Sequence, residues 1–228
     1  MTELKSRQFY GRRKGHPLTA LQQQRLNVLL PHLRPDLTVP PPQPLSQLFG
    51  AEAREVWLEI GFGGGEHAAW QAAQNPQVGI FAAEPFVNGV AALVARIETG
   101  SLSNIRLHDE EAKPLLDWLP PGSIARAFIL FPDPWPKRRH WKRRIVSPAT
   151  LAALARVMAP GAELRVATDI GDYARTTLLA VMSSPDFDWP ALGPDDWRLR
   201  PADWPATRYE AKAVAAGRCC YYFKFRRR

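Results

Sequence analysis

The densest chemistry in this chain lies in Phe131-Pro132-Asp133-Pro134-Trp135-Pro136, followed at once by Lys137-Arg138-Arg139-His140-Trp141-Lys142-Arg143-Arg144. Prolines fix φ and cannot donate to a sheet ladder, so they stop the apolar run before them and set Asp133 rigidly outward. One proline suffices to end a strand, whereas alternating prolines around an acid hold that acid in place. A fixed carboxylate can accept from both N1–H and the exocyclic amine of guanine, and Trp135 offers a ring on which a flipped base stacks. Six permanent cations then fall within eight residues, next to two tryptophans, the makings of a phosphate-binding patch. Charge runs are usually only solvated, but this one adjoins Asp133, and the adjacency favours substrate recognition.

A second constellation begins at Leu58-Glu59-Ile60-Gly61-Phe62-Gly63-Gly64-Gly65. Glycines there let the backbone approach a ligand closely, and the helix that follows offers unpaired amide donors. Glu84 ends the next apolar run, where an acid accepts from both hydroxyls of a ribose. Nicotinamide and S-adenosylmethionine sites share this pairing. With Gly61 as the first glycine, the third small position falls on Glu66, whose bulk and charge oppose a pyrophosphate. Glu59 suits the cationic methionine end of a sulfonium cofactor. The sulfonium reading leads, with a dinucleotide site and a structural turn as its alternatives. Glu110 and Glu111 follow a third apolar run; Glu111 is the choice for an adenine amino group, against a solvated acid favoured by the helix dipole. Thr168-Asp169 and Thr207-Arg208-Tyr209-Glu210 complete the set, while His108 and His140 read as bystanders.

These residues need a scaffold that brings strand ends together. Buried strands are expected at Val56–Ile60, Val78–Ala83, Asn104–Leu107, Ile124–Phe131 and Ala162–Ala167, with helices from Glu66, over Val87–Ile97, Lys113–Trp118, Pro148–Met158 and Tyr173–Met182. Such alternation implies an α/β fold, a mostly parallel sheet with helices on both faces, and ligands at the carboxyl ends of its strands. The tail reads as loop and strand, ending at Cys219–Phe225. Before the alternation, residues 1 to about 20 read as a mobile basic arm containing Lys5, Arg7, Arg12, Arg13 and Lys14. A short helix follows at Leu21–Leu30, then an extended linker through the prolines at 31 to 44.

Across 228 residues, 30 Lys and Arg against 22 Asp and Glu give a net charge of +8, which favours a polyanionic partner. No apolar run approaches the ~18 residues of a membrane span, and no apolar segment follows the basic start as in a secretory leader. Cys219 and Cys220 are adjacent and give neither a disulfide framework nor a metal spacing, so a reducing cytoplasmic setting without metal is expected.

Leu58 to Gly63, Phe131 to Lys137, Lys142-Arg143-Arg144, Ala167-Thr168-Asp169 and Thr207 to Glu210 together resemble the tRNA (guanine-N7)-methyltransferase family in order and spacing, from about Val56 to the C-terminus. The resemblance implies a Rossmann-like methyltransferase domain over 51–228 behind a basic, proline-rich arm and linker over 1–50, with a sheet of about seven strands. It implies S-adenosylmethionine as cofactor and N7 of guanine 46, in the variable loop of tRNA, as methyl acceptor. Glu59, Gly61, Gly63, Glu84, Glu111 and Asp133 would contact the cofactor, with Asp133 also at the centre of catalysis. Lys137, Asp169, Thr207, Arg208, Tyr209 and Glu210 would contact the substrate, in a monomer or weak homodimer. Glu111 departs from a common Asp, Arg208-Tyr209 from a more typical Lys-Phe, and Lys212-Ala213 from a usual Arg-Gly. The rivals are a nicotinamide oxidoreductase, a methyltransferase with another substrate and a non-catalytic RNA-binding module.

Overall fold

Five apolar runs become the parallel strands of a seven-stranded sheet. In the computed structural model, which describes residues 11–50 and 52–228, they are β1 (Glu55–Ile60), β2 (Val78–Ala83), β3 (Ile105–His108), β4 (Ile124–Leu130) and β5 (Met158–Thr168). Two further strands, β6 (Phe187–Asp188) and β7 (Tyr221–Arg227), close one edge. The order is β3-β2-β1-β4-β5-β7-β6, with β7 antiparallel to both neighbours. The α/β sheet expected from the sequence is therefore present.

Alternation in β1 splits the core between two faces. Val56, Leu58 and Ile60 pack with Leu115, Leu151, Leu154 and Tyr173 of α4 (Ala112–Trp118), α5 (Pro148–Val157) and α6 (Gly171–Met182). Trp57 points the other way, to Leu26, Ala68, Leu93 and Val94 of α1 (Ala20–Leu33), α2 (Glu66–Gln74) and α3 (Val87–Gly100). Parallel register aligns Ile60 with Ala83, Ala83 with His108, and Leu130 with Ala167, and β1 pairs with β4, so five strand ends share one rim.

The N-terminal quarter departs from expectation. Helix α1 runs through Pro31 to Leu33, started by a capping box between Thr19 and Gln22. Pro31 sits so near the end that it deletes only one donor of the last turn. The stretch expected as an extended linker is packed: Trp118 donates to the Val39 carbonyl at 2.7 Å. A 3-10 helix at Leu45–Phe49 then buries Phe49 edge-on against Phe81. Gly79 makes this possible, since a Cβ there would lie 2.3 Å from the Phe49 ring. Residues 13 to 16 are also attached, through Val87 N–H to Arg13 O (3.0 Å) and a pair of bonds between Asn88 and the Gly15 and His16 backbone (2.8 Å each). Residues 1–10 of the expected arm, including Lys5 and Arg7, lie outside the described residues.

The tail holds helices where only loop and strand were expected: a single turn, α7 (Asp195–Arg198), and α8 (Arg208–Ala215). Thr207 caps α8, accepting from Glu210 N–H at 3.2 Å. Among the described residues no helix is long and apolar enough to cross a membrane, and no cluster of three or more His, Cys, Asp or Glu could hold a metal ion.

Candidate functional site

β1 lies between β2 and β4, so the chain leaves β1 and β4 in opposite directions and opens a crevice between their carboxyl ends. The turn after β1 takes positive φ at Gly61 (77°), Gly63 (56°) and Gly65 (72°), where a side chain would be strained. A Cβ at Gly61 would meet nothing within 4 Å. That open space, in a crevice lined by acids, fits a cationic ligand at the strand ends.

Glu84 closes the turn from the β2 side. One carboxylate oxygen accepts from Gly63 N–H (2.9 Å) and the other from Phe86 N–H (3.0 Å). Burial pushes its carboxyl up, and the charges of Asp133 and Glu59 push it further, so three acids converge here. Helix α3 presses on the same turn, because a Cβ at Gly89 would stand 2.1 Å from the Gly63 carbonyl oxygen. Gly89→Ala is therefore expected to shift the turn and weaken binding of the sulfonium cofactor expected from the sequence by about tenfold or more, for an overpacking cost of ~1–3 kcal/mol. Calorimetric titration with S-adenosylhomocysteine reads it directly; unchanged affinity would place the ligand away from Gly63.

Glu59 is turned inward beneath the rim. Only 2% exposed, it accepts from His67 Nδ1 at 2.8 Å. Gln71 donates to His67 Nε2 (3.1 Å) and to the Asp203 carbonyl (2.9 Å), which leaves the ring proton on Nδ1 facing Glu59. His67 and Gln71 escaped the sequence reading. Their i, i+4 spacing at the start of the helix after Glu59 was the available signal.

The proline turn carries the strain at this rim. Phe131 (φ 49°) and Trp135 (φ 41°) take left-handed conformations that cost non-glycine residues about 1–3 kcal/mol each. Between them Asp133 opens to solvent, yet the protein around it still raises its pKa by desolvation. Lys137, Arg138, Arg139 and Lys142 are exposed beside it, on and around a 3-10 helix at Arg138–Arg143. The Arg143 guanidinium stacks 4.9 Å from the Trp135 ring centre, and Arg138 lies 5.8 Å from that of Trp141. Arg144 corrects the reading of six surface cations: it is buried, and is bonded to the turn and to α6.

The start of α8 rests on the glycine turn. The Tyr209 ring comes within 3.0 Å of a Cβ placed on Gly63, and Arg208 meets Glu66 at 3.6 Å, with Arg96 on the same oxygen at 3.5 Å. Glu210 is buried; one oxygen accepts from Arg200 (3.0 Å) and Tyr222 (2.8 Å), while the other is buried with no protein partner. Asp169, after β5, pairs with Arg218 at 2.7 Å. Glu111 precedes α4 and faces Arg13 across 3.9 Å, whereas Glu110 points to solvent.

Comparison with known proteins agrees with this geometry. Residues 53–223 match the Methyltransf_4 methyltransferase family model. A tRNA (guanine-N(7)-)-methyltransferase of Agrobacterium fabrum is 50% identical over 220 residues, 96% of this chain and 95% of that protein. One from Rhodospirillum rubrum is 50% identical over 223 residues, covering 96% of this chain and 88% of its own. Among solved structures, the 16S rRNA methyltransferase KamB superposes with a TM-score of 0.54 at 18% identity, over 80% of this chain and 92% of that one, a likeness of fold.

Proposed function

This chain belongs to the tRNA (guanine-N(7)-)-methyltransferase family, and on that footing we propose how its rim transfers a methyl group from S-adenosylmethionine to N7 of guanine 46 in the variable loop of tRNA. The observation that carries the reading is the placement of Asp133. A strained, rigid turn presents it at the switch point, within electrostatic reach of Glu84 and directly before a basic, tryptophan-bearing loop.

S-adenosylmethionine supplies a methyl group on a sulfonium, and guanine N7 already carries the lone pair that accepts it, so no side chain has to remove a proton. The protein's work is then positioning and electrostatics. Glu84 takes the ribose hydroxyls, Gly61 and Gly63 admit the ligand to the backbone, and Glu111 takes the adenine amino group. The negative charge of Glu59, Glu84 and Asp133 favours a cation in the crevice. Glu59 acts from beneath, fixed by His67. Asp133 borders the cofactor and holds guanine by N1–H and its amine, which turns N7 inward. Trp135 stacks on the flipped base, while Lys137, Asp169 and the Thr207, Arg208, Tyr209 and Glu210 segment border the substrate. The unpartnered Glu210 oxygen supports a polar group docking there. A monomer or weak homodimer is part of this proposal, and a tRNA substrate supports a cytoplasmic enzyme.

Replacing guanosine 46 by 7-deazaguanosine in a transcript tests the acceptor atom. Transfer should cease while the tRNA still binds; transfer that persists would put the methyl elsewhere. The basic loop gives a separate expectation. Arg138→Ala with Arg139→Ala should raise the KM for tRNA, leave kcat near wild type, and lower the slope of log affinity against log salt by about one per lost phosphate contact. Steady-state kinetics across a salt series would show it, and an unaltered slope would mean that the loop is only a solvated surface.

A further inference from the structure

Arg144 sits among the cations of the basic loop, yet its surroundings are those of a structural brace. Its side chain is 3% exposed. Nε donates to the Pro134 carbonyl at 3.2 Å, Nη1 to Thr176 Oγ1 at 2.6 Å, and Nη2 to Asp172 Oδ2 at 2.5 Å, with the Trp135 carbonyl 3.5 Å from Nη2. The guanidinium carbon lies over two rings, 4.8 Å from the centre of Trp141 and 5.0 Å from that of Tyr173. These partners engage the planar fork on all sides and leave no donor face for a phosphate.

Two of the residues it grips directly follow Asp133 in the turn. Pro134 follows Asp133, and Trp135 holds a left-handed backbone that needs outside support. Asp172 and Thr176 lie in the first turns of α6, shortly after Asp169, so one side chain ties the turn after β4 to the segment after β5.

We propose that Arg144 is a positioning residue for methyl transfer: it sets Asp133 by clamping the backbone of the proline turn from beneath, and it makes no contact with tRNA. The proposal rests on the function assigned above to Asp133. Removing Arg144 strands no buried charge, since the Asp172 side chain is 43% exposed, but it frees the turn.

The test is Arg144→Ala in the full chain, assayed with unmodified tRNA beside wild type. A displaced turn should lower kcat by about 10²-fold, because misplacement near 1 Å costs that much. The KM for tRNA should stay within about threefold, with the salt slope and S-adenosylhomocysteine affinity unchanged, since no phosphate contact is lost. Millimolar guanidinium ion should restore part of kcat where sodium chloride at equal ionic strength does not. Arg144→Lys should remain impaired, because an ammonium lacks the fork. A raised KM with a shallower salt slope and preserved kcat would overturn the proposal and make Arg144 a phosphate contact. Should the alanine variant not fold, Thr176→Val leaves the cation and removes one acceptor; it should lower kcat without moving KM, and wild-type kcat would refute the clamp. Absence of transfer by wild type would instead remove the assigned function, a different failure.

Discussion

Replacing Asp133 by Asn should lower kcat/KM by about 10²–10⁴-fold, the cost of losing two charge-assisted hydrogen bonds at ~1.5–3 kcal/mol each. Guanine presents two donors along its Watson–Crick edge, and a carboxylate accepts both. An amide keeps one acceptor and turns its own donor against the other, so the base loses its orientation as well as its affinity. Stability should move the opposite way. Desolvation raises the Asp133 pKa above its ordinary 3.8 in the folded protein. A raised carboxyl favours folding most below its unfolded pKa, and that advantage disappears as pH rises through the folded value. Ionised Asp133 is thus a cost at neutral pH that Asn does not carry. The variant should melt no lower than wild type at pH 7, with any gain shrinking as pH falls toward 3.8. An inactive but intact protein is the expected result; an active Asn variant would leave Asp133 as a mere strand terminator.

Glu84→Ala should raise the dissociation constant for S-adenosylmethionine by about 10–100-fold, again from the ~1.5–3 kcal/mol of hydrogen bonds to a charged acceptor. The Glu84 carboxylate already accepts from Gly63 and Phe86, so its removal frees the glycine turn as well as the ribose contact. Glu84→Asp separates the two effects: it keeps the charge but shortens the reach. Because burial raises this carboxyl, cofactor affinity should also fall on acidification earlier than an ordinary glutamate would dictate. Calorimetry against pH reads both. An affinity untouched by either variant would put the ribose elsewhere.

How much of this was legible in the sequence depended on whether the signal was local. Unbroken apolar runs such as Val78–Ala83 announce buried parallel strands, and glycines or prolines at their ends announce the rim. Asp133 was legible because the prolines around it restrict the backbone without reference to anything distant. Long-range partners were not. Nothing in Lys142-Arg143-Arg144 separates a surface cation from a buried one; the difference is made by Asp172 and Tyr173, some thirty residues on. Glu59 was legible as an acid at a strand end, but its hydrogen bond to His67 was not, because His67 read only as part of a helix. The prolines before residue 45 read as a linker because Phe49 finds its place through the missing side chain of Gly79, on the distant strand β2. Helix α8 went unseen since its short, polar sequence buries little beyond Glu210 and Ala213, although Thr207 and Glu210 have the spacing of a cap.

The most direct test of the central claim is the identity of the methylated nucleoside. Purified protein, unmodified tRNA transcripts and methyl-labelled S-adenosylmethionine would be incubated, and the RNA digested to nucleosides and separated. Label in 7-methylguanosine, lost with Asp133→Ala while that variant still melts cooperatively, is the result predicted. Label in any other nucleoside would contradict the assignment to guanine N7, and no label together with no calorimetric binding of the cofactor would leave an RNA-binding protein without this activity.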